Sequence, residues 1–141
     1  MMLNQVYNFD GGTVSPLNHT IVHISFDNND RIDEKMVLDA YKKKLELVGS
    51  NRHASIIDFN KKLSTFSDEA LRKVLTNMDP FDKNFVTVLC VSSFFARLEL
   101  MLYLRTHYIS DNIILAKNLN EAKAIIYKQE KVRKEELSAV G

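Results

Sequence analysis

The sequence predicts a single α/β domain in which one mixed, mostly parallel β-sheet is covered by about four helices. The chain has 141 residues, the size of one domain, and 45% of them are hydrophobic, which is enough for a core. From residue 20 onwards, segments with strand patterns alternate with segments of helical periodicity, and this alternation favours parallel pairing in one sheet. The expected order is β-β-α-β-α-β-α-β-α, with residues 1–141 forming one domain.

The first 19 residues or so predict an N-terminal strand and a loop. Residues 3–9 have strand character, and the Asp10-Gly11-Gly12 sequence is a turn signal because glycine tolerates a positive φ. Residues 13–18 contain Pro16 and are interpreted as a loop or an irregular edge. A second strand is predicted over residues 20–26, and two strands joined in this way most simply pair antiparallel.

The first helix is predicted between Asp33, which can cap its N-terminus, and Gly49, which can end it. Its apolar residues fall on one helical stripe, which consists of Val37, Ala40, Tyr41, Leu45 and Val48. The charged residues are assigned mainly to the other side, and they are Lys42, Lys43, Lys44 and Glu46.

Two further strands are predicted over residues 53–59 and 85–91, the second buried on both faces because its apolar run is nearly continuous. Ser67 can cap the helix between them, and Asp79-Pro80 can end it. This helix has a stripe made of Ala70, Leu71, Val74, Leu75 and Met78.

The C-terminal part predicts a helix, a strand and a final helix. Ser92 or Ser93 can cap the helix that runs to about His107, and residues 111–116 form the last strand. Asn118 and Glu121 make a start of the capping-box type for the final helix. Residues from about 128 to 141 are highly charged, and they either prolong this helix into solvent or form a tail.

The helix after residue 92 is apolar over more than one face. Such a helix is usually buried, either in its own core or against a partner. Three explanations stay open: self-association, packing entirely within the domain, and contact with an apolar ligand or a membrane. The candidates for an interface or an apolar-ligand site are Phe94, Phe95, Leu98, Met101, Leu102 and Tyr103.

Catalytic and metal-binding patterns are absent from the sequence, and we predict no cofactor. Cys90 is the only cysteine and lies in an apolar run, which is typical of a buried, inert thiol. His19 precedes the predicted strand over 20–26 and His23 lies in it, and a strand separates side chains four residues apart by roughly 13 Å, so the two are not expected to share a metal. Asp58 lies in a predicted strand near the end where α/β sheets often bind ligands, although capping or bracing of the following loop explains it more simply.

Charge and hydropathy exclude some classes of partner and location. The formal net charge is +1, so no global field favours nucleic acid. The N-terminus lacks a signal-peptide pattern, and no apolar run approaches the roughly 20 residues that cross a bilayer. We therefore expect a cytoplasmic protein without a transmembrane segment.

Three segments of the chain are similar to those of a known family. They are the strand over 56–59 with its continuation to Leu71, the apolar strand over 85–91, and residues 113–122, in which Glu121-Ala122 opens the last helix. On these segments the chain resembles the STAS domains of bacterial anti-sigma-factor antagonists. It looks most like their divergent SpoIIAA-like relatives among small bacterial proteins.

The resemblance implies a non-enzymatic regulatory module and a switch loop. In phosphorylated antagonists the loop after the strand ends in Asp-Ser-x-Gly, and the serine accepts the phosphate. Here the serine position falls on Asp68 and the glycine position on Ala70, so we predict that the family's phosphoserine switch is absent. The candidates for switch-loop or partner contacts are Asp58, Ser64, Thr65, Ser67 and Asp68, although Ser67 is more simply an N-cap.

The leading hypothesis is therefore a STAS-like regulatory or protein-interaction module, expected to be a homodimer with a possible protein partner. The alternative is a small-molecule or lipid-binding protein with an apolar pocket beneath the 94–107 helix. An enzyme would need Asp58 and a histidine within hydrogen-bond reach in one pocket.

Overall fold

The computed structural model describes residues 5–27, 31–59, 65–76, 83–107, 109 and 112–140. These residues form one α/β unit, and the predicted fold class is confirmed. The strands are β1 (Tyr7–Phe9), β2 (Gly12–Pro16), β3 (Ile21–Phe26), β4 (His53–Asp58), β5 (Asn84–Cys90) and β6 (Ile113–Ala116). The helices are α1 (Glu34–Val48), α2 (Asp68–Leu75), α3 (Phe94–Thr106) and α4 (Leu119–Val140).

The strands lie side by side in chain order, as a six-stranded sheet β1-β2-β3-β4-β5-β6. The first three strands pair antiparallel, and β3 to β6 pair in parallel. Right-handed crossovers that always step to the next strand place the connecting helices on the same face of the sheet. Because β3 to β6 run parallel, their carboxyl ends meet at one edge, where Phe26, Asp58, Cys90 and Ala116 end their strands.

The core has two parts, one on each face of the sheet. Residues of α1, α2 and α3 pack on the face that carries Val22, Ile24, Ile57 and Leu89. On the other face, Ala122 and Ile126 of α4 pack against β4, β5 and β6. Ile21 of β3 belongs to the same part of the core.

The N-terminal prediction was wrong in one element, because a third strand precedes α1. The segment interpreted as a loop contains β2, which lies between β1 and β3, so the two predicted strands do not pair with each other. The Leu17 N–H donates to the Ile21 carbonyl at 2.9 Å, which places the odd-numbered residues of β2 toward β3. The nitrogen of Pro16 then points to the other side, beyond the end of β1, where no ladder bond is lost.

Local turn and cap chemistry was predicted correctly. Gly11 has a φ of +111° in the tight turn between β1 and β2. The Asp33 carboxylate accepts a hydrogen bond from the Met36 N–H at 2.9 Å and caps α1. Gly49 ends α1 with a φ of +58°, and its N–H donates to the Leu45 carbonyl at 2.8 Å.

The buried face of α1 is wider than predicted. Lys44 was assigned mainly to the solvent side, but it is 1% exposed, with its ammonium group 5.3 Å from the centre of the Tyr41 ring. Leu47 is also buried, whereas Leu45 is only half-buried. The cause is that α1 packs on β1 and β2 with one side and on α2 with another, so a single stripe is too narrow.

The remaining elements follow the predictions where the structure describes them. Ser67 caps α2, and of the predicted α2 stripe Ala70, Leu71, Val74 and Leu75 are buried. Met78 and the predicted stop at Asp79-Pro80 lie outside the described residues. The Asn118 side chain accepts a hydrogen bond from the Glu121 N–H at 2.9 Å. Of the two alternatives for the charged C-terminal segment, the structure has the helix, since α4 continues to Val140.

Candidate interaction surface on helix α3

Both ends of α3 are fixed by hydrogen bonds. Ser93 is the N-cap, and its hydroxyl oxygen accepts from the Ala96 N–H at 3.3 Å. The Arg97 guanidinium donates to the carbonyl oxygens of Val91 and Ser92 at 2.8 and 3.0 Å, which ties the first turn to the end of β5. At the other end, the His107 N–H donates to the Tyr103 carbonyl at 3.1 Å, and the His107 ring stacks on the Tyr103 ring with 4.0 Å between the ring centres. These contacts stabilise both ends of the helix and join its first turn to the end of β5.

The packing of α3 on the core turns most of the apolar surface of this helix away from the sheet. Leu100 is the one residue of the helix that is fully buried, and Ala96, Tyr103 and Leu104 pack partly on the same core. The opposite side is between 44% and 79% exposed at each of five large apolar residues, namely Phe94, Phe95, Leu98, Met101 and Leu102. We call these five residues the outward face of α3.

The outward face is a consequence of helical geometry as well as of sequence. At 100° per residue, the side chains of Leu98 and Leu100 point about 160° apart around the helix axis. Because Leu100 is buried in the core, Leu98 points to solvent. Of the three explanations left open by the sequence, packing entirely within the domain therefore does not describe these five residues.

The outward face is large for a surface patch. If each of these side chains presents roughly 200 Å² when fully exposed, the exposed fractions correspond to about 600 Å² of apolar surface. The largest apolar patch on a typical monomer covers about 300–600 Å² and is often functional. The outward face thus reaches the upper end of that range with one helix.

The carboxyl edge of the sheet brings Asp58 and His23 close to each other. The His23 Nε2 atom lies 4.0 Å from the Asp58 Oδ2 atom, beyond hydrogen-bond distance, and both side chains are half-buried. Burial lowers the pKa of His23 below 6.5, and the Asp58 carboxylate opposes part of that shift. The pair therefore lacks the hydrogen bond that the enzyme hypothesis required.

Cys90 lies beside Asp58 at the same edge. Burial raises the pKa of the Cys90 thiol to about 11, and the charges of Asp58 and Glu121 act in the same direction. A thiol with this pKa stays protonated at neutral pH and is a poor nucleophile. The predicted burial of Cys90 is confirmed.

The structure separates the predicted switch-loop residues. By strand alternation, Asp58 faces the same side of the sheet as Ile56 and Cys90, which belong to the core under α4. Ser67 and Asp68 open α2, whose buried residues belong to the core on the opposite side. Asp58 and the buried side of α2 therefore lie on opposite faces of the sheet.

Individual switch-loop candidates have structural roles in α2 and its approach. The Ser67 hydroxyl oxygen accepts from the Ala70 N–H at 3.1 Å, as expected of an N-cap. The Thr65 carbonyl accepts from the Ile32 N–H at 2.8 Å, and Ile32 pairs with Phe66 as an isolated bridge. Asp68 is exposed in the first helical turn. Ser64 lies outside the described residues.

A pocket that the sequence did not indicate lies where the ends of α1, α2 and α3 meet. It encloses about 490 Å³, and its lining includes Glu34, Asp68 and Arg72 together with Tyr103 and His107 of α3. Lys73 in the same wall lies 3.6 Å from the Glu34 carboxylate. Its lining is mainly charged, unlike the apolar pocket of the lipid-binding alternative, which stays a prediction. Single-sequence patterns could not find it, because three separate helices build it.

Neither a metal site nor a membrane span is found in the described ranges. No group of three His, Cys, Asp or Glu side chains there is arranged to hold a metal ion. The described helices also include none with both the length and the apolar content that crossing a membrane requires.

Comparisons with family models, curated proteins and solved structures find no match for this chain. The functional argument therefore depends on the geometry of the chain itself.

Proposed function

We propose that this chain is a non-enzymatic regulatory or protein-interaction module of the STAS type, acting as a homodimer through the outward face of α3. The observation that carries the proposal is the orientation of α3, which buries Leu100 and exposes five large apolar side chains. Leaving that much apolar surface in water is unfavourable, and covering it with another protein surface removes the cost.

The area of the outward face supports a second copy of the chain as its occupant. Two copies that cover this face on each other bury about 1,200 Å² in total, the lower limit of standard protein–protein interfaces. Neighbouring side chains at the rim, such as Arg105 and Thr106, add to that area because they are also exposed. The interface is thus of sufficient size without any other part of the domain.

The STAS part of the proposal is supported by the order of elements. From β3 onwards the chain runs strand, then helix–strand three times, then helix, which is the order on which the resemblance is based. Asp68 places a permanent negative charge where the family has its phosphoserine, so this module works without that switch. A cytoplasmic bacterial protein is part of the same proposal.

Light scattering coupled to size-exclusion chromatography tests the proposal with two matched variants. Leu102 in the outward face and Leu137 in α4 are 56% and 58% exposed, respectively. We expect the wild-type chain to elute with twice the mass of one copy. Leu102→Glu should elute as one copy because it places a charge in the interface, and Leu137→Glu should remain a dimer.

Circular dichroism of both variants verifies that they keep the wild-type helix content. A wild-type chain with the mass of one copy at every concentration contradicts the homodimer. Equal dissociation by Leu102→Glu and Leu137→Glu contradicts the assignment of the interface to α3.

A further inference from the structure

We infer that two copies pair their α3 helices antiparallel, with the twofold axis passing beside Leu98. The inference deepens the proposed function and depends on it. Its starting observation is the spacing of the outward face, which is symmetric about Leu98 along the helix. Phe94 and Phe95 lie four and three residues before Leu98, and Met101 and Leu102 lie three and four residues after it.

A twofold axis at Leu98 places every residue of the outward face opposite another residue of that face. In an antiparallel pair related by twofold symmetry, a residue n positions before the centre lies opposite the residue n positions after it on the other copy. Phe94 then lies opposite Leu102 of the second copy, and Phe95 lies opposite its Met101. Leu98 meets its own counterpart. The pairing extends about 12 Å along the helix on each side of the interface, from residue 94 to residue 102.

The position of Arg105 distinguishes antiparallel from parallel pairing. Arg105 lies about 20° from Leu98 around the helix axis, so it belongs to the same side of α3 as the outward face. In a parallel pair the two Arg105 side chains would face each other across helices about 8–10 Å apart, which is repulsive. Antiparallel pairing about Leu98 separates them by roughly 21 Å along the axis. Antiparallel helix dipoles also attract each other.

The position of Glu99 also distinguishes antiparallel from parallel pairing, because Glu99 lies on one flank of the outward face and Arg97 lies on the other. In an antiparallel twofold pair, equal flanks face each other, so the two Glu99 carboxylates approach near the axis. In a parallel pair, Glu99 would instead approach Arg97 of the other copy. Removal of the Glu99 charge therefore strengthens the antiparallel dimer and weakens the parallel one.

Cysteine cross-linking tests the position of the axis directly. The native Cys90 is 5% exposed, so a cysteine introduced on the outward face is the accessible thiol. We expect Leu98→Cys to form a covalent dimer with a mild oxidant, because residues at the axis have Cα atoms close enough for a disulfide. Phe94→Cys and Leu102→Cys should each cross-link poorly alone and efficiently when mixed.

Wild type and Leu137→Cys serve as controls, and neither should cross-link. A light-scattering dimer in which Leu98→Cys fails to cross-link overturns the antiparallel register and leaves the proposed homodimer intact. The same holds for a dimer in which Phe94→Cys cross-links with itself as efficiently as with Leu102→Cys. A wild-type chain with the mass of one copy overturns both proposals.

Sedimentation equilibrium of Glu99→Gln supplies the independent measurement. We expect its dimer dissociation constant to fall about twofold, the size of a solvent-exposed like-charge repulsion. A rise in the dissociation constant indicates contact with Arg97 and overturns the antiparallel arrangement.

Discussion

Helices α2 and α3 each connect neighbouring strands of the same sheet, yet α2 buries its apolar residues and α3 leaves most of its own exposed. In α2, an eight-residue helix, four apolar residues are buried: Ala70, Leu71, Val74 and Leu75. In α3, which has 13 residues and is more apolar, Leu100 is the only buried residue. The difference teaches that an apolar helix needs a cover, whereas its composition does not say whether the domain or a partner supplies that cover.

The cause of the difference is visible in the contacts of each helix. A polar face opposite the stripe of α2, with Asp68, Glu69 and Arg72 exposed, leaves only one way to pack the helix. In α3 apolar residues surround most of the axis, so the burial of the Leu100 side leaves other apolar residues exposed. The side of α3 that does not meet the core is the outward face.

The largest expected effect is the loss of a buried leucine of α2. Leu75 is 1% exposed, and Leu75→Ala should lower the free energy of unfolding by about 2–5 kcal/mol, through lost burial and the cavity left behind. Urea denaturation at a concentration where the chain is a single copy measures this. Leu102→Ala is the matched change in α3 and should cost less than about 1 kcal/mol there. Equal costs at the two positions would contradict the comparison.

The same contrast exists within α3 itself, between residues two positions apart. Leu100 is fully buried and Leu98 is 44% exposed. Leu100→Ala should cost about 2–5 kcal/mol of unfolding free energy. Leu98→Ala should change that free energy little in the single copy and weaken the dimer instead. If the two variants exchange these effects, α3 is rotated from the orientation described.

The N-caps of the two helices provide a smaller effect that should be the same for both. The hydroxyls of Ser67 and Ser93 accept from backbone N–H groups at 3.1 and 3.3 Å. Ser67→Ala and Ser93→Ala should each cost about 1 kcal/mol of unfolding free energy, measured in urea. A negligible cost for Ser93→Ala alone would show that the first turn of α3 contributes little to stability.

The smallest expected effect is the contribution of His23, a residue of β3, to the pH dependence of the unfolding free energy. Burial holds the pKa of His23 below 6.5, the value in the unfolded chain, with Asp27, Asp58 and Lys123 as the charges around it. The unfolded chain therefore binds the proton more readily, and His23 costs the fold stability as the pH falls below about 6.5. Above that pH its contribution is constant.

Urea denaturation of wild type and His23→Gln between pH 5 and 8 isolates this contribution. We expect the wild-type chain to lose more unfolding free energy than His23→Gln as the pH decreases. Parallel pH profiles for the two chains would show that the fold does not disfavour the protonated form of His23.

The sequence predicted features that depend on neighbouring residues. Asp33, Ser67 and Asn118 cap helices because each side chain reaches the backbone N–H three residues away, which short patterns reveal. The apolar stripe of α2 was predicted because its polar face is equally regular.

Features that depend on distant parts of the chain were missed or left open. The strand that contains Pro16 was not predicted, because the hydrogen bond that a proline costs a strand depends on where the neighbouring strand β1 ends. Burial of Lys44 depends on the simultaneous contacts of α1 with α2 and with two strands. The direction of the outward face depends on which side of α3 packs on the core formed with other parts of the chain.

The most direct test of the account is hydroxyl-radical footprinting of the wild-type chain at low and high concentration. If a second copy covers the outward face, the oxidation of Phe95 and Met101 should fall several-fold as the concentration rises. Tyr127 and Leu137 on α4, which are 52% and 58% exposed, should react equally at both concentrations. Unchanged oxidation of Phe95 and Met101 at every concentration would contradict the central claim that the outward face is an interface between copies.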